Sequence, residues 1–304
     1  MQSARELLEV SRKTKKVGDS KKITFLGVDG FDVYNITAPF QLEGCKMIAG
    51  RVEKRDSEAS FIAFFEEIDL TTYKRIQGAT ELELQDPFMT FIDGELILGG
   101  VETFPSPEDA TKLSWRTNFY SVKALNEMTL FFSGPNGMKD LRLKQLHNGE
   151  IMVLTRPQGE KGGRGKIGQL RIRSLDELTI ARIEAAPLLN GNFSNEDWGG
   201  ANEIYELETG EIAVLGHIAF FDEENNRHYY PLVFWLEDDT ICRPKIIAER
   251  SDFIESPAKR ADLVDVVFSG GLVFQNENAI LYAGISDASA QYLELDNPFK
   301  KVGI

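Results

Sequence analysis

The chain is poor in cysteine. Cys45 and Cys242 are the only two among 304 residues, too few for a disulfide scaffold and without metal-ligand spacing. They read as two free thiols in a reducing compartment. No run approaches the ~20 apolar residues of a membrane span. Residues 1–16 scatter Leu7, Leu8 and Val10 among charges, where a signal peptide needs a continuous apolar stretch. Residues 1–20 therefore read as an arm or short helix, and a cytoplasmic location follows. Positive charge is also short: 34 Lys and Arg against 48 Asp and Glu leave a net charge of −14, which disfavours nucleic acid and anionic membrane as partners. Long helical periodicity is missing after the first dozen residues, and 122–128 and 174–178 each have room for one helical turn. No Pro/Gly/Ser-rich linker interrupts the chain, so residues 21–304 read as one domain. Glycine-rich 159–167 has the wrong spacing for a phosphate loop and reads as a solvated hairpin loop. There is no Gly-x-Ser-x-Gly elbow and no His-Glu-x-x-His zinc pair.

What the chain does have is one hairpin written three times. Asp86-Pro-Phe-Met-Thr-Phe-Ile-Asp93-Gly94-Glu-Leu-Ile-Leu is followed by Asp140-Leu-Arg-Leu-Lys-Gln-Leu-His-Asn148-Gly149-Glu-Ile-Met-Val-Leu and Asn202-Glu-Ile-Tyr-Glu-Leu-Glu-Thr209-Gly210-Glu-Ile-Ala-Val-Leu. Looser copies begin at Asp32 and Asp265. Strand signals at 61–65, 95–98, 150–154, 212–215, 230–236 and 279–283 fall into the same scheme. A unit recurring every ~50–60 residues cannot bury its own apolar face, and stacking copies around an axis solves that problem. Five copies predict an all-β, five-bladed β-propeller of four-stranded antiparallel blades.

Equivalent polar residues of such a ring converge on one channel mouth. With two-residue turns at Asp93-Gly94 and Asn148-Gly149, Asp86 faces Val101, Asp140 falls one step from the partner of Arg156, and Asn202 faces His217. Arg51, Arg156 and His217 each follow a turn glycine (Gly44, Gly149, Gly210) by seven residues. Three cationic or titratable side chains thus take equivalent places.

At these residues the sequence resembles the five-bladed β-propeller glycosidases, closest to the mannoside phosphorylase and hydrolase family and its uncharacterised relatives. Asp29-Gly-Phe-Asp32-Val-Tyr-Asn35-Ile-Thr-Ala-Pro resembles that family's first-blade motif. Arg51-Val-Glu53-Lys-Arg55-Asp56 resembles the substrate-binding segment after it. Leu84-Gln-Asp86-Pro-Phe is similar to the Glu-Asp-Pro-Arg motif of the catalytic Asp, with Gln85 and Phe88 departing from it. Asp265-Val-Val-Phe-Ser-Gly-Gly271 and Leu281-Tyr-Ala-Gly-Ile-Ser286-Asp287 resemble the last blade. His217 stands where phosphorylases of the family place a phosphate-binding His.

The resemblance implies an inverting glycosidase or glycoside phosphorylase acting on a small β-linked oligosaccharide, with mannose a candidate sugar. Its general acid is Asp86, and Asp32, Asp140 and Asp265 are the further carboxylates of the site. The binding candidates are Asn35, Arg51, Glu53, Arg55, Arg142, Arg156, Asn202, His217 and Asp287, with Trp198 and Tyr230 as platforms for sugar rings. Guanidinium groups hold phosphate or carboxylate through paired hydrogen bonds. Carboxylates crowded at one mouth raise one another's pKa, which suits an acid working near neutrality. The expected partner is a small carbohydrate, with inorganic phosphate an optional co-substrate, no metal and no other cofactor, and self-association left open. The rival expectation is a carbohydrate-binding propeller without catalysis.

Overall fold

The computed structural model describes residues 1–107 and 109–300; the last four residues of the expected 21–304 domain lie outside that range. Helix α1 (Ala4–Thr14) opens on a capping box, in which Ser3 Oγ accepts from the Glu6 N–H while the Glu6 carboxylate accepts from the Ser3 N–H. Strand β1 (Val17–Lys22) follows, and the remaining strands form five small sheets. The first blade holds β2 (Thr24–Leu26), β3 (Asp32–Tyr34), β4 (Phe40–Leu42), β5 (Cys45–Glu53), β6 (Ser60–Asp69) and β7 (Thr72–Arg75). The second holds β8 (Gln85–Ile92), β9 (Glu95–Pro105), β10 (Leu113–Ala124) and β11 (Glu127–Ser133). The third has only β12 (Arg142–Gln145), β13 (Ile151–Thr155) and β14 (Gly168–Ile172), with the short helices α2 (Gly159–Gly162) and α3 (Ile180–Ala185). The fourth holds β15 (Trp198–Glu206), β16 (Ile212–Phe221), β17 (Arg227–Glu237) and β18 (Thr240–Ile246). The last combines β19 (Val267–Gln275), β20 (Asn278–Ile285) and β21 (Ser289–Asp296) with β1, so the chain's beginning closes the ring against its end.

The fold is thus the five-bladed propeller expected, with four strands in three of its blades, three in one and six in the first. Every strand pair within the sheets is antiparallel except β2 with β7. Five hydrophobic clusters fill the gaps between neighbouring blades. Strand β5 shows how: Ile48 and Val52 pack toward the last blade, whereas Met47 and Ala49 pack toward the second. Alternate side chains of one strand therefore serve two cores, which is why 47–53 are buried on both faces. Helix α1 adds Ala4, Leu7 and Leu8 to the cluster between the third and fourth blades. Cys45 and Cys242 are free thiols in different blades. Among the described residues no helix is long and apolar enough to cross a membrane.

Turn chemistry fixes the register, with corrections to the sequence reading. Asp93-Gly94 is a two-residue turn with φ of 51° and 80°, the paired positive values of a type I′ turn. At Asn148-Gly149 and Thr209-Gly210 only the glycine has positive φ, and the loops are one residue longer than expected, with Gln145 pairing Ile151 and Glu206 pairing Ile212. Residues 122–128 hold no helical turn: Leu125 and Asn126 form the tight turn between β10 and β11. The 174–178 turn is present, over Leu175–Glu177. Within 159–167 the chain makes the turn of α2 instead of a plain hairpin loop.

Candidate active site

The inner-edge strands β3–β4, β8, β12, β15 and β19 are tied into a closed circuit by their own polar groups. Asn35 Nδ2 donates to Asp86 Oδ1 at 2.7 Å, joining the first blade to the second. The Arg142 guanidinium lies 3.8 Å over the Phe88 ring, joining the second to the third. Arg142 Nε donates to the Asn202 carbonyl at 2.8 Å, and Asn202 Nδ2 donates to the Ser269 carbonyl at 2.9 Å. The Ala38 N–H donates to the Gly270 carbonyl at 3.3 Å and completes the ring. Each contact is buried or nearly so, and together they define the channel wall.

These residues are aimed inward by interruptions in the strands. Register slips between Gln85 and Phe88, between Ala201 and Glu203, and between Ser269 and Gly271. A bulge bends its strand and redirects a side chain, a recurring device beside active sites. Asn35, Asp86 and Asp140 have φ of 44°, 50° and 59°. Asn and Asp tolerate this left-handed region far better than other residues with a side chain. The bulges also explain why the expected pairings shift: Gln85 instead of Asp86 pairs Val101, and Gly200 instead of Asn202 pairs His217. Asn202 still meets His217, because its bulged side chain places Oδ1 at 2.8 Å from Nδ1.

Two charged groups face the circuit. On the first-blade side, Arg51 Nη1 donates to Asp86 Oδ1 at 3.2 Å and Arg51 Nε to Glu53 Oε2 at 3.0 Å. Glu53 also accepts from the Tyr34 hydroxyl at 2.9 Å and from Lys259. Asp287 stands half-buried beside them with no hydrogen bond or ion pair among the described residues. Burial raises its carboxyl to about 6, with Arg51 opposing the rise and Asp86 adding to it.

On the third-blade side, Asp140 Oδ2 lies 3.4 Å from Arg156 Nε and 3.9 Å from His217 Nε2, and Oδ1 lies 3.8 Å from Arg142 Nη2. Burial acts to raise this carboxyl, but Arg156, His217, Lys139 and Arg142 outweigh it and hold it at about 2. Asp140 Oδ2 and Arg156 Nη1 are buried without a hydrogen-bond partner. Burial pushes His217 down to about 3 and Arg142 down to about 10. Asn202 Oδ1 requires a proton on His217 Nδ1, so neutral His217 presents the lone pair of Nε2 to the cluster. Below the circuit, burial raises Glu203 to about 7, and its carboxyl accepts from the Tyr205 hydroxyl.

The structure therefore gathers Asn35, Arg51, Glu53, Asp86, Asp140, Arg142, Arg156, Asn202, His217 and Asp287 around one channel mouth. Asp32 and Arg55 form their own ion pair at the rim. Asp265 accepts from the Tyr230 hydroxyl at 2.5 Å and pairs with His228 at 2.6 Å, beside the start of the fourth blade's β17. Tyr230 and Trp198 are buried; the Trp198 indole donates to the Tyr229 hydroxyl at 2.9 Å and its ring packs on Phe221. Crowding of carboxylates accounts for neither shift: Asp287 is raised by burial, with Asp86 a lesser contribution than the opposing Arg51, and Asp140 is lowered because cations outnumber carboxylates around it. Sequence reasoning missed Lys139 and Lys259. Lys139 adjoins Asp140 and could have been found by that adjacency. Lys259 comes from the long segment between β18 and β19, which carries no periodic signal.

No curated protein sequence matches the chain. Among solved structures it is similar to MPT-4, a mannose phosphorylase from Leishmania mexicana determined in complex with phosphate ion: 34% identity, 97% of this chain, 93% of that one, TM-score 0.89. It is also similar to MPT-1, a GDP-Man-dependent mannosyltransferase from Leishmania mexicana, at 30% identity over 99% of this chain and 96% of that one, TM-score 0.89. A β-1,2-mannobiose phosphorylase from Listeria innocua shares the fold at 15% identity, covering 88% of this chain and 91% of that one with a TM-score of 0.59. The profile of DUF1861, described as a protein of unknown function, matches residues 9–301. The chain belongs to the DUF1861 family.

Proposed function

We propose that this chain is a glycoside-processing enzyme that cleaves a small β-linked, mannose-containing oligosaccharide by phosphorolysis with inversion, at the channel mouth. The observation that carries the reading is the excess of cations on the third-blade side. Lys139, Arg142 and Arg156 surround a single carboxylate, and one guanidinium nitrogen there has no partner. Such a cluster suits an oxyanion. The lone pair of His217 Nε2 suits the P–OH of a phosphate monoanion. The likeness to a mannose phosphorylase bound to phosphate supports the same assignment.

In this reading a phosphate oxygen attacks the anomeric carbon from the Arg156 side as the glycosidic C–O bond breaks. The departing oxygen takes its proton from Asp86, and the products are a sugar 1-phosphate and a saccharide one unit shorter. Asn35 and Arg51 orient the Asp86 carboxyl. No prosthetic group takes part. The test is incubation with β-1,2-mannobiose with and without inorganic phosphate, followed by phosphorus NMR. An α-configured mannose 1-phosphate formed only with phosphate is the expected product; mannose released at the same rate without phosphate rejects phosphorolysis.

A second reading, mannosyl transfer from a nucleotide sugar, is favoured by the likeness to a GDP-Man-dependent mannosyltransferase. The same cations would then hold a diphosphate. Release of GDP from GDP-mannose with growth of a mannoside acceptor distinguishes it.

A further inference from the structure

The glycine-rich segment that fails as a phosphate loop reaches the mouth by another route. It folds into a closed knot. The Gly159 N–H donates to the Gly163 carbonyl at 2.8 Å, the Gly163 N–H returns to the Gly159 carbonyl at 2.7 Å, and the Gly165 N–H donates to the Gly162 carbonyl at 2.9 Å. Two exposed side chains tie the knot to two blades. Lys161 Nζ donates to the Glu184 and Ala186 carbonyls at 2.5 and 2.6 Å, at the end of α3 in the third blade. The Arg164 guanidinium lies 4.9 Å from the centre of the Phe221 ring and 5.5 Å from that of Trp198, both in the fourth blade. The Gly199 N–H donates to the Gly165 carbonyl at 3.3 Å and closes the gap between the two blades.

What the knot holds is Arg156. Arg156 Nη2 donates to the Arg164 carbonyl at 3.2 Å, and Nε donates to the Gly199 carbonyl at 2.7 Å. Gln158 Nε2 braces the same Arg164 carbonyl at 2.8 Å. A Cβ on Gly165 would come within 2.6 Å of Arg156 Cζ, Nε and Nη2 alike, so only glycine fits against that face of the guanidinium. On the other blade, a Cβ on Gly200 would come within 2.9 Å of Arg156 Cδ. The hydrogen bonds to Arg156 thus come from backbone carbonyls, while Asp140 Oδ2 stays 3.4 Å from Nε. Carbonyl dipoles orient a guanidinium; a carboxylate bound to it through two parallel hydrogen bonds would neutralise it.

From this geometry we infer that segment 159–165 is the seat of Arg156: Lys161, Arg164 and Gly165 are positioning residues that fix the direction of a guanidinium whose charge is left for an oxyanion. The inference rests on the phosphorolysis reading above for the identity of that oxyanion. It also gives Trp198 a task, since its ring carries the Arg164 end of the knot.

Calorimetric titration of inorganic phosphate into the G165A, K161M and R164Q proteins tests it without turnover. G165A is expected to weaken phosphate binding about tenfold, and K161M and R164Q, which leave the backbone unstrained, about threefold each. Binding of β-1,2-mannobiose in phosphate-free buffer stays at the native level in all of them. In an R156K background the same changes cost nothing further, because their effect passes through the guanidinium. The Arg156 Nε resonance, assigned in nitrogen NMR by its loss in R156K, shifts in K161M and R164Q, a readout that holds even where G165A fails to fold. Losses of equal size in the R156K background, or an Nε resonance unmoved in K161M and R164Q, overturn the positioning role while leaving the catalytic reading intact. A resonance that shifts in a protein whose native form binds no phosphate leaves the seat standing and removes the phosphorolysis reading.

Discussion

Asn35 and Asp86 come from different blades, both adopt left-handed backbone, and the amide of one donates to the carboxylate of the other at 2.7 Å. Each is thereby fixed twice, once by its own strained turn and once by its neighbour across the blade gap. A carboxyl group held this way keeps its direction while the substrate changes around it, which proton transfer from its protonated form to a leaving oxygen requires.

The first expectation follows directly. Asp86→Asn retains size and tolerance of positive φ, so the circular dichroism spectrum and melting temperature should stay near those of the native protein. Turnover of a β-mannoside should fall by about 10²–10⁴, the range for loss of a general acid. A substrate with an acidic phenol as leaving group should recover most of it. Full activity in the Asn variant would move the acid elsewhere in the mouth, with Asp287 the next candidate.

Gly284 is constrained by the same contact. A Cβ there would lie 2.1 Å from Asn35 Oδ1 and 2.5 Å from its backbone nitrogen. Gly284→Ala should therefore displace Asn35 and destabilise the protein by about 1–3 kcal/mol, as overpacking does. Urea melts measure the loss. An unchanged midpoint would mean that the first and last blades can part there at no cost.

On the opposite wall, Arg156→Lys replaces a planar fork with a point charge. The KM for phosphate should rise by about 10–100-fold, the cost of losing one or two charge-assisted hydrogen bonds, while binding of saccharide to the phosphate-free protein is unchanged. Steady-state kinetics with phosphate as the varied substrate checks this. A rise in saccharide KM alone would place Arg156 on the sugar.

Glu203 gives a pH prediction with a definite sign. Burial raises its carboxyl from the usual value to about 7, so between pH 4.5 and 7 the folded protein binds a proton that the unfolded chain has released. Its contribution is fully present below pH 4.5 and is lost as pH rises through 7. Glu203→Gln should remove this dependence, so its stability relative to the native protein improves from pH 5 to pH 8 by on the order of 3 kcal/mol. Parallel denaturant titrations at the two pH values decide it; a constant difference would show that Glu203 ionises as it does in water.

The fold was legible because its repeat unit is: alternation of apolar residues and Gly-containing turns recur often enough to specify a ring. Placement of Asp86, Asp140, Arg51 and Arg156 followed from that repetition. Two kinds of feature were not legible. Bulges shift pairing by one residue without any composition signal, as at Asp86 and Asn202, and in the first blade the residue that shares the left-handed backbone of Asp86 and Asp140 is Asn35 and not Asp32. Long connections carry no period, so the arrival of Lys259 on Glu53 from 206 positions away had no sequence trace. Trp198 and Tyr230 show a third difficulty. An aromatic beside a glycine pair or a strand start is as readily spent on blade packing as left open to ligand.

The joining of β1 to β21 has a consequence for how this protein comes into being. Arg51 and Asn35 emerge early in synthesis, Lys259 and Asp287 late, and the meeting of the first and last blades brings Lys259 onto Glu53 and Asp287 beside Arg51. Because every core lies between two blades, a chain lacking either end leaves one apolar face uncovered and this set of residues unassembled. Activity therefore appears all at once, as a property of the completed circle.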